Sequence, residues 1–210
     1  MSTAITPTHD RAYQGAHDAR DHHDDHGPGN WTRIFTTTNH KDIGSMYLWF
    51  SLFMFFVGGS MALLIRAELF QPGLQFVQPE VFNSLTTVHA LIMIFGAVMP
   101  AFTGFANWLI PMQIGAADMA FPRMNNWSFW LMIPAAILLF ASFFVPGGAA
   151  ASGWTLYPPL SIQGGIGLDM TILAIHILGA SSIMGSINII VTVLNMRAPG
   201  MTLMKMPMFC

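Results

Sequence analysis

Charge is what this sequence of 210 residues has least of: Asp, Glu, Lys and Arg make up 9% of it, where soluble domains carry roughly 25%. Between Ile43 and Met196 the only charged side chains are Arg66, Glu68, Glu80, Asp118, Arg123 and Asp169. So few charges cannot cover a water-soluble surface. Basic clusters are also missing, and with a formal net charge of −2 the chain has no patch that would draw nucleic acid. There is one cysteine, Cys210, which excludes an internal disulfide framework. The first 42 residues lack the apolar core that a cleaved signal peptide needs.

Hydrophobic residues, by contrast, account for 53% of the chain. Crossing a bilayer as a helix takes roughly 20 apolar residues, and four such runs are present, at about 44–66, 82–112, 127–145 and 170–196. The class that follows is an all-α integral membrane protein with four spans. MPMFC at the end reads as the start of a fifth. Methionine and phenylalanine, 17 of each, are ordinary filler for lipid-facing helices.

In the polar tail, residues 1–42, HDARDHHDDHGPG from His17 to Gly29 reads as solvated and disordered to about residue 30. Weak transition-metal binding by His22, His23 and His26 is the alternative. His40, Lys41 and Asp42 are expected to stay wet at the membrane surface. In span one, Gly58-Gly59-Ser60 lets a second helix approach closely. Span two is expected to kink near Pro100 and Gly104. The connection from Pro146 to Leu168 has no charge, and a long loop of that kind usually covers something. Asp169 is expected to cap span four.

Orientation follows from lysine and arginine. Seven of the eight fall in the tail, the loop after span two and the segment after span four; only Arg66 lies on the other side. The N-terminus is therefore expected to be cytoplasmic, with His89 nearer the outer face.

A lone imidazole deep in lipid needs a partner, and a cofactor or ion path is the first suspicion. His89 in span two and His176 in span four each lie about two turns from the outer end. Together they could clamp one haem as in membrane b-type cytochromes, or each could simply be hydrogen-bonded inside the bundle. Asp118 occupies a loop near Asn107, Asn125 and Asn126, with Ser181, Ser182 and Asn188 on span four. Buried amides and hydroxyls can order waters that pass protons inward from a carboxylate; helix–helix hydrogen bonding explains each equally well. Arg66 suits a propionate, formyl or carboxylate group. Glu68, Gln71, the Gly73 carbonyl and Gln75 offer the oxygens a hard cation takes.

Five strings stand in order: TTNHKDIG, LLIRAEL, TTVHALIMIF, GAADMAFPRMNNWSFW and GWTLYPPL. Together they make the chain resemble, from about Trp31 to Phe209, subunit I of the haem–copper terminal oxidases of bacteria, the haem a cytochrome c oxidases in particular. The resemblance implies that His89 is an axial ligand of low-spin haem a and that Arg66 bonds its formyl group. It places Trp154 and Tyr157 in a loop packed over the haem propionates. Asp118 becomes the mouth of a proton pathway, with Asn107 and Asn125 near it and Ser181, Ser182 and Asn188 further in. Glu68, Gln71, Gly73 and Gln75 resemble an outer calcium or sodium site, and His176 matches a histidine that is not a haem ligand. Quinol-using relatives carry histidine and glutamine eight and five residues before the haem ligand; here those positions hold Val81 and Ser84, which favours cytochrome c as donor.

The family's subunit has twelve spans, and the resemblance puts the high-spin haem, the copper B ligands and the second haem a ligand in later ones. It also implies subunits II and III as partners, oxygen as substrate and a bacterial plasma membrane location. Two other readings stay open: a small bis-histidine b-type electron carrier using His89 and His176, and a non-catalytic membrane fragment.

Overall fold

A computed structural model describes residues 30–210, with side chains from Thr32 onward. The histidine-rich run of the tail lies outside the described residues. The chain divides after Phe35. Helix α1, Asn30–Thr36, is a short element at that division.

The four spans are α2 (His40–Glu68), the pair α3 (Pro79–Leu91) and α4 (Met99–Ile114), α5 (Pro122–Ala141) and α6 (Ile166–Asn195). Their length and hydropathy suffice to cross a membrane, and no strand occurs among the described residues. Each exceeds its apolar run because polar residues at the ends still complete helical turns. Asn39 starts α2 as an N-cap, accepting the Lys41 N–H, and prolines open α3 and α5, where no N–H is needed. Gly115 closes α4 in the left-handed conformation at φ 72°.

Between α3 and α4 the helix widens to a π-helix over Ile92–Val98, with the Met99 N–H reaching the Ile94 carbonyl. This displaces the irregularity expected at Pro100 and Gly104 to the turn before them. Pro100 has no N–H to give and its ring crowds the preceding turn, so the ladder is relieved upstream. Gly104 serves instead as a contact: a Cβ on it would lie 3.0 Å from the Gly44 carbonyl oxygen, and a Cβ on Gly44 would lie 3.0 Å from that of Gly104. Spans one and two thus approach backbone to backbone. Of the small triplet, Gly58 is the working member, packed on Met93 and Ile92, while Gly59 faces open space.

Asp169 does not cap span four. The helix begins earlier, with Gly165 as the N-cap, and Asp169 sits exposed in the first turn. The preceding segment can close down because a glycine, Gly167, leaves the Gly148 carbonyl room against the helix. Beyond α6 the chain forms one 3-10 turn, Leu203–Lys205, and residues 206–210 are not helical.

One buried apolar cluster gathers Met54, Val88, Leu91, Ile92, Leu139 and Ala174; a second joins Ile43, Tyr47, Phe129 and Met132. The outer faces are equally apolar, with Trp49 and Leu63 each 72% exposed. Such a surface suits lipid or further helices and would be costly in water.

Candidate functional site

Two polar regions stand out in this apolar bundle. The first surrounds His89, in the last turn of α3. Its Nδ1 lies 2.8 Å from the main-chain oxygen of Gly58 on α2. A carbonyl oxygen can only accept, so Nδ1 carries the proton and Nε2 is left with its lone pair. Nε2 has no hydrogen-bond partner among the described residues. That is the tautomer and second-nitrogen contact a metal-binding imidazole uses, and the residues present therefore fit a haem iron on Nε2.

His176 is arranged differently. It is exposed on α6 and its Nδ1 pairs with the Ile172 carbonyl one turn earlier at 2.8 Å. No group of three or more His, Cys, Asp or Glu side chains converges among the described residues.

The uncharged loop after span three is fastened to the helix that bears His89. The Ser84 hydroxyl donates to the Ala149 carbonyl at 3.0 Å. Thr87 accepts the Gly153 N–H at 3.0 Å while donating to the Asn83 carbonyl at 3.0 Å. The next residues, Trp154 and Tyr157, are 48% and 73% exposed, so their rings are available to a group lying over the loop. Arg66 is likewise exposed and makes no hydrogen bond or ion pair among the described residues.

Two residues on, Glu68 is 5% exposed. Its carboxylate accepts the main-chain N–H groups of Gln75, Phe76 and Val77 at 2.8, 2.6 and 3.0 Å. Three amide donors suit an ionised carboxylate. The loop they close, with Gln71 and Gly73, surrounds a cavity of about 490 Å³. Gln75 turns its amide toward the Pro72 carbonyl.

The second polar region is a seam through the middle of the bundle toward the other end. Asn107, Asn125 and Asn188 are essentially inaccessible, at 0, 1 and 0% exposure. Asn125 donates to Asn107 Oδ1 at 2.6 Å, and Asn107 in turn donates to the Thr103 carbonyl. Ser128 donates to the Asn125 carbonyl, its Oγ lies 2.7 Å from the Tyr47 hydroxyl, and Ser181 donates to its carbonyl. Tyr47, Thr103, Ser181, Ser182 and Ser186 share the lining of a cavity of about 360 Å³, room for several waters. Asn125 Oδ1 and Asn188 Nδ2 are buried with no hydrogen-bond partner among the described residues. Buried polar atoms of that kind commonly meet ordered water.

Asp118 is half-buried outside this seam; its one hydrogen bond among the described residues is from the adjacent Met119 N–H at 2.7 Å. The structure therefore joins Asn107 to Asn125 directly and brings Ser181 to the Ser128 backbone, whereas Asp118 has no direct bond to any of them.

Sequence reasoning passed over Tyr47, Ser128 and Thr192, and misplaced His40. Tyr47 and Ser128 sit in runs of apolar residues and gain meaning only when α2 and α5 meet. His40 was expected in water but is 6% exposed, its Nδ1 2.8 Å from the Asn107 carbonyl. The reason is the glycine contact one turn on, which draws the start of α2 against the end of span two.

Comparison with known proteins agrees with the strings that carried the resemblance. The family model for cytochrome c and quinol oxidase polypeptide I matches residues 42–210. Cytochrome c oxidase subunit 1 of Corynebacterium diphtheriae is 50% identical over 181 residues, 85% of this chain and 32% of that protein. Its counterpart from Synechocystis is 50% identical over 187 residues, 88% of this chain and 34% of that one. A probable cytochrome c oxidase subunit 1-alpha of Streptomyces avermitilis is 47% identical over 186 residues, 87% and 32% respectively. The chain spans about a third of the length of the curated relatives it matches. With four apolar helices and a matching family model over most of its length, the chain belongs to the cytochrome c and quinol oxidase polypeptide I family.

Proposed function

We propose that this chain supplies the haem a-ligating and proton-admitting part of a respiratory cytochrome c oxidase subunit I in a bacterial plasma membrane. The observation that carries the reading is the His89–Gly58 hydrogen bond, which leaves Nε2 as the free lone pair. Haem a bound there would supply one-electron transfer from cytochrome c, by way of subunit II, toward a haem–copper centre that reduces oxygen.

This chain's own residues then have separate tasks. His89 holds iron through Nε2, and the Gly58 carbonyl fixes the ring and raises its basicity. Arg66 and the Trp154–Tyr157 segment hold the haem's polar edge, where a fixed positive charge tunes its electronics. Glu68 shapes an outer loop that, with Gln71, Gly73 and Gln75, offers oxygens to calcium or sodium.

At the cytoplasmic end, Asp118 admits protons. Asn107, Asn125 and Asn188, then Ser181 and Ser182, line their way toward the cavity, and Tyr47 and Ser128 belong to the same seam. Confining uptake to one face matters because each charge moved across the membrane is worth about 2.3 kcal/mol per 100 mV.

The test uses the full-length subunit in its assembled complex. His89→Ala is expected to abolish the low-spin haem spectrum while His176→Ala leaves it intact. Loss of the spectrum in the His176 variant, or its survival in the His89 variant, would overturn the assignment. Asp118→Asn is expected to stop proton uptake from the cytoplasmic side; unchanged uptake would remove Asp118 from the pathway.

A further inference from the structure

The loop carrying Asp118 is tied to span four and to the residues just after it. Thr192, fully buried on α6, accepts the Ala120 N–H on its hydroxyl oxygen at 2.9 Å. One turn earlier, Asn188 Oδ1 accepts the Phe121 N–H at 2.8 Å. Before Asp118, the Ile114 carbonyl accepts the Ala198 N–H at 2.9 Å. The adjoining Gly115, at φ 72°, comes so close that a Cβ there would lie 2.9 Å from the Ala198 Cβ. The loop is therefore gripped on both sides of its carboxylate by the end of α6 and the residues just after it.

The Thr192 proton is already committed. Its hydroxyl donates to the Asn188 carbonyl, 2.7 Å away in its own helix, so it meets the loop purely as an acceptor. Among the described residues Asp118 has no other fixture: its carboxylate accepts only the Met119 N–H beside it. Where the carboxylate sits is thus decided by where the main chain at 119–121 sits.

We propose that Thr192 is a positioning residue for Asp118, its hydroxyl oxygen pinning Ala120 and so fixing the place of the neighbouring carboxylate. This rests on the reading of Asp118 as the group that admits protons. Thr192 sets the place of the carboxylate and carries no proton itself.

The experiment compares Thr192→Val, which keeps the shape and loses the acceptor, with Thr192→Ser, which keeps the acceptor. Both are made in the full-length subunit within the assembled oxidase, alongside Asp118→Asn. Proton uptake is followed with a pH-sensitive dye, and the rate of low-spin haem reduction by the electron donor is measured separately. Misplacement of this kind should slow uptake about tenfold in the valine variant, with the serine variant within about twofold of the parent. Haem reduction should be unchanged in both, which a general loosening of the bundle would not allow.

Normal uptake in the valine variant would overturn the proposal, as would equal slowing in valine and serine. If Thr192→Val does not assemble, Thr192→Ala removes the same acceptor and is judged by the same outcomes. Unchanged uptake in Asp118→Asn would sink the pathway reading instead, a result distinct from failure of the threonine proposal.

Discussion

The His89 imidazole and the Gly58 carbonyl are 2.8 Å apart across the interface of spans one and two. Gly58 is also where the two helices pack: a Cβ there would fall 2.7 Å from Met93 Sδ. The small residue that admits Met93 is therefore the one whose oxygen orients the imidazole.

Gly58→Ala should act on both functions together. Met93 is flexible enough to move, so the expected loss is modest, about 1 kcal/mol, read by thermal unfolding in detergent. The displaced carbonyl should bond His89 less well, lowering ligand basicity, and redox titration of the low-spin haem should show a raised midpoint potential.

The Gly44–Gly104 contact is less forgiving, because backbone meets backbone at 3.0 Å. Gly44→Ala should cost about 1–3 kcal/mol and draw His40 away from the Asn107 carbonyl. Gly59→Ala, facing open space, should be neutral or stabilise by up to about 1 kcal/mol through helix propensity. Equal losses at Gly44 and Gly59 would contradict the packing described.

Much of this architecture was legible in the sequence and some was not, for physical reasons. Four spans are visible because apolar length is all a bilayer demands of a helix. His89 is visible because it is the one titratable group in a long apolar run. The π-turn at Ile92–Val98 is not, since an extra residue in a turn changes no composition; Pro100 marked it one turn late. The burial of His40 depends on a carbonyl 67 residues away, and the Tyr47–Ser128 pair spans 81; no local pattern encodes either. Asp169 looked like a cap because its residue type favours that position, but Gly165 takes it, leaving Asp169 inside the first turn of the helix.

The loop over span two should depend on Ser84 and Thr87. Thr87→Val strips the Gly153 N–H of its acceptor and should cost about 1–3 kcal/mol; Ser84→Ala removes only a donor to Ala149 and should cost about 1 kcal/mol. Limited proteolysis should cut residues 146–165 faster in both variants, and faster still in the double one.

Glu68→Gln tests the short loop that joins spans one and two. The substitution exchanges one accepting oxygen for an N–H group that confronts the main-chain donors of Gln75, Phe76 and Val77. Amide hydrogen exchange at those three residues should quicken while exchange along α2 stays as it was. Unchanged exchange would show that the loop holds its shape without the carboxylate.

The π-turn also bears on how this span tolerates genetic change. In an α-helix each residue turns the chain by about 100°, so one residue more or fewer between His89 and Asn107 would swing one end of the span against the other by that angle. His89 would lose its approach to Gly58, or Asn107 its place beside Asn125 and His40. Point substitutions among Ile92–Val98 leave that phase intact, whereas a single-codon insertion or deletion there resets it. Variation in this stretch should accordingly run to changes of side chain at fixed length.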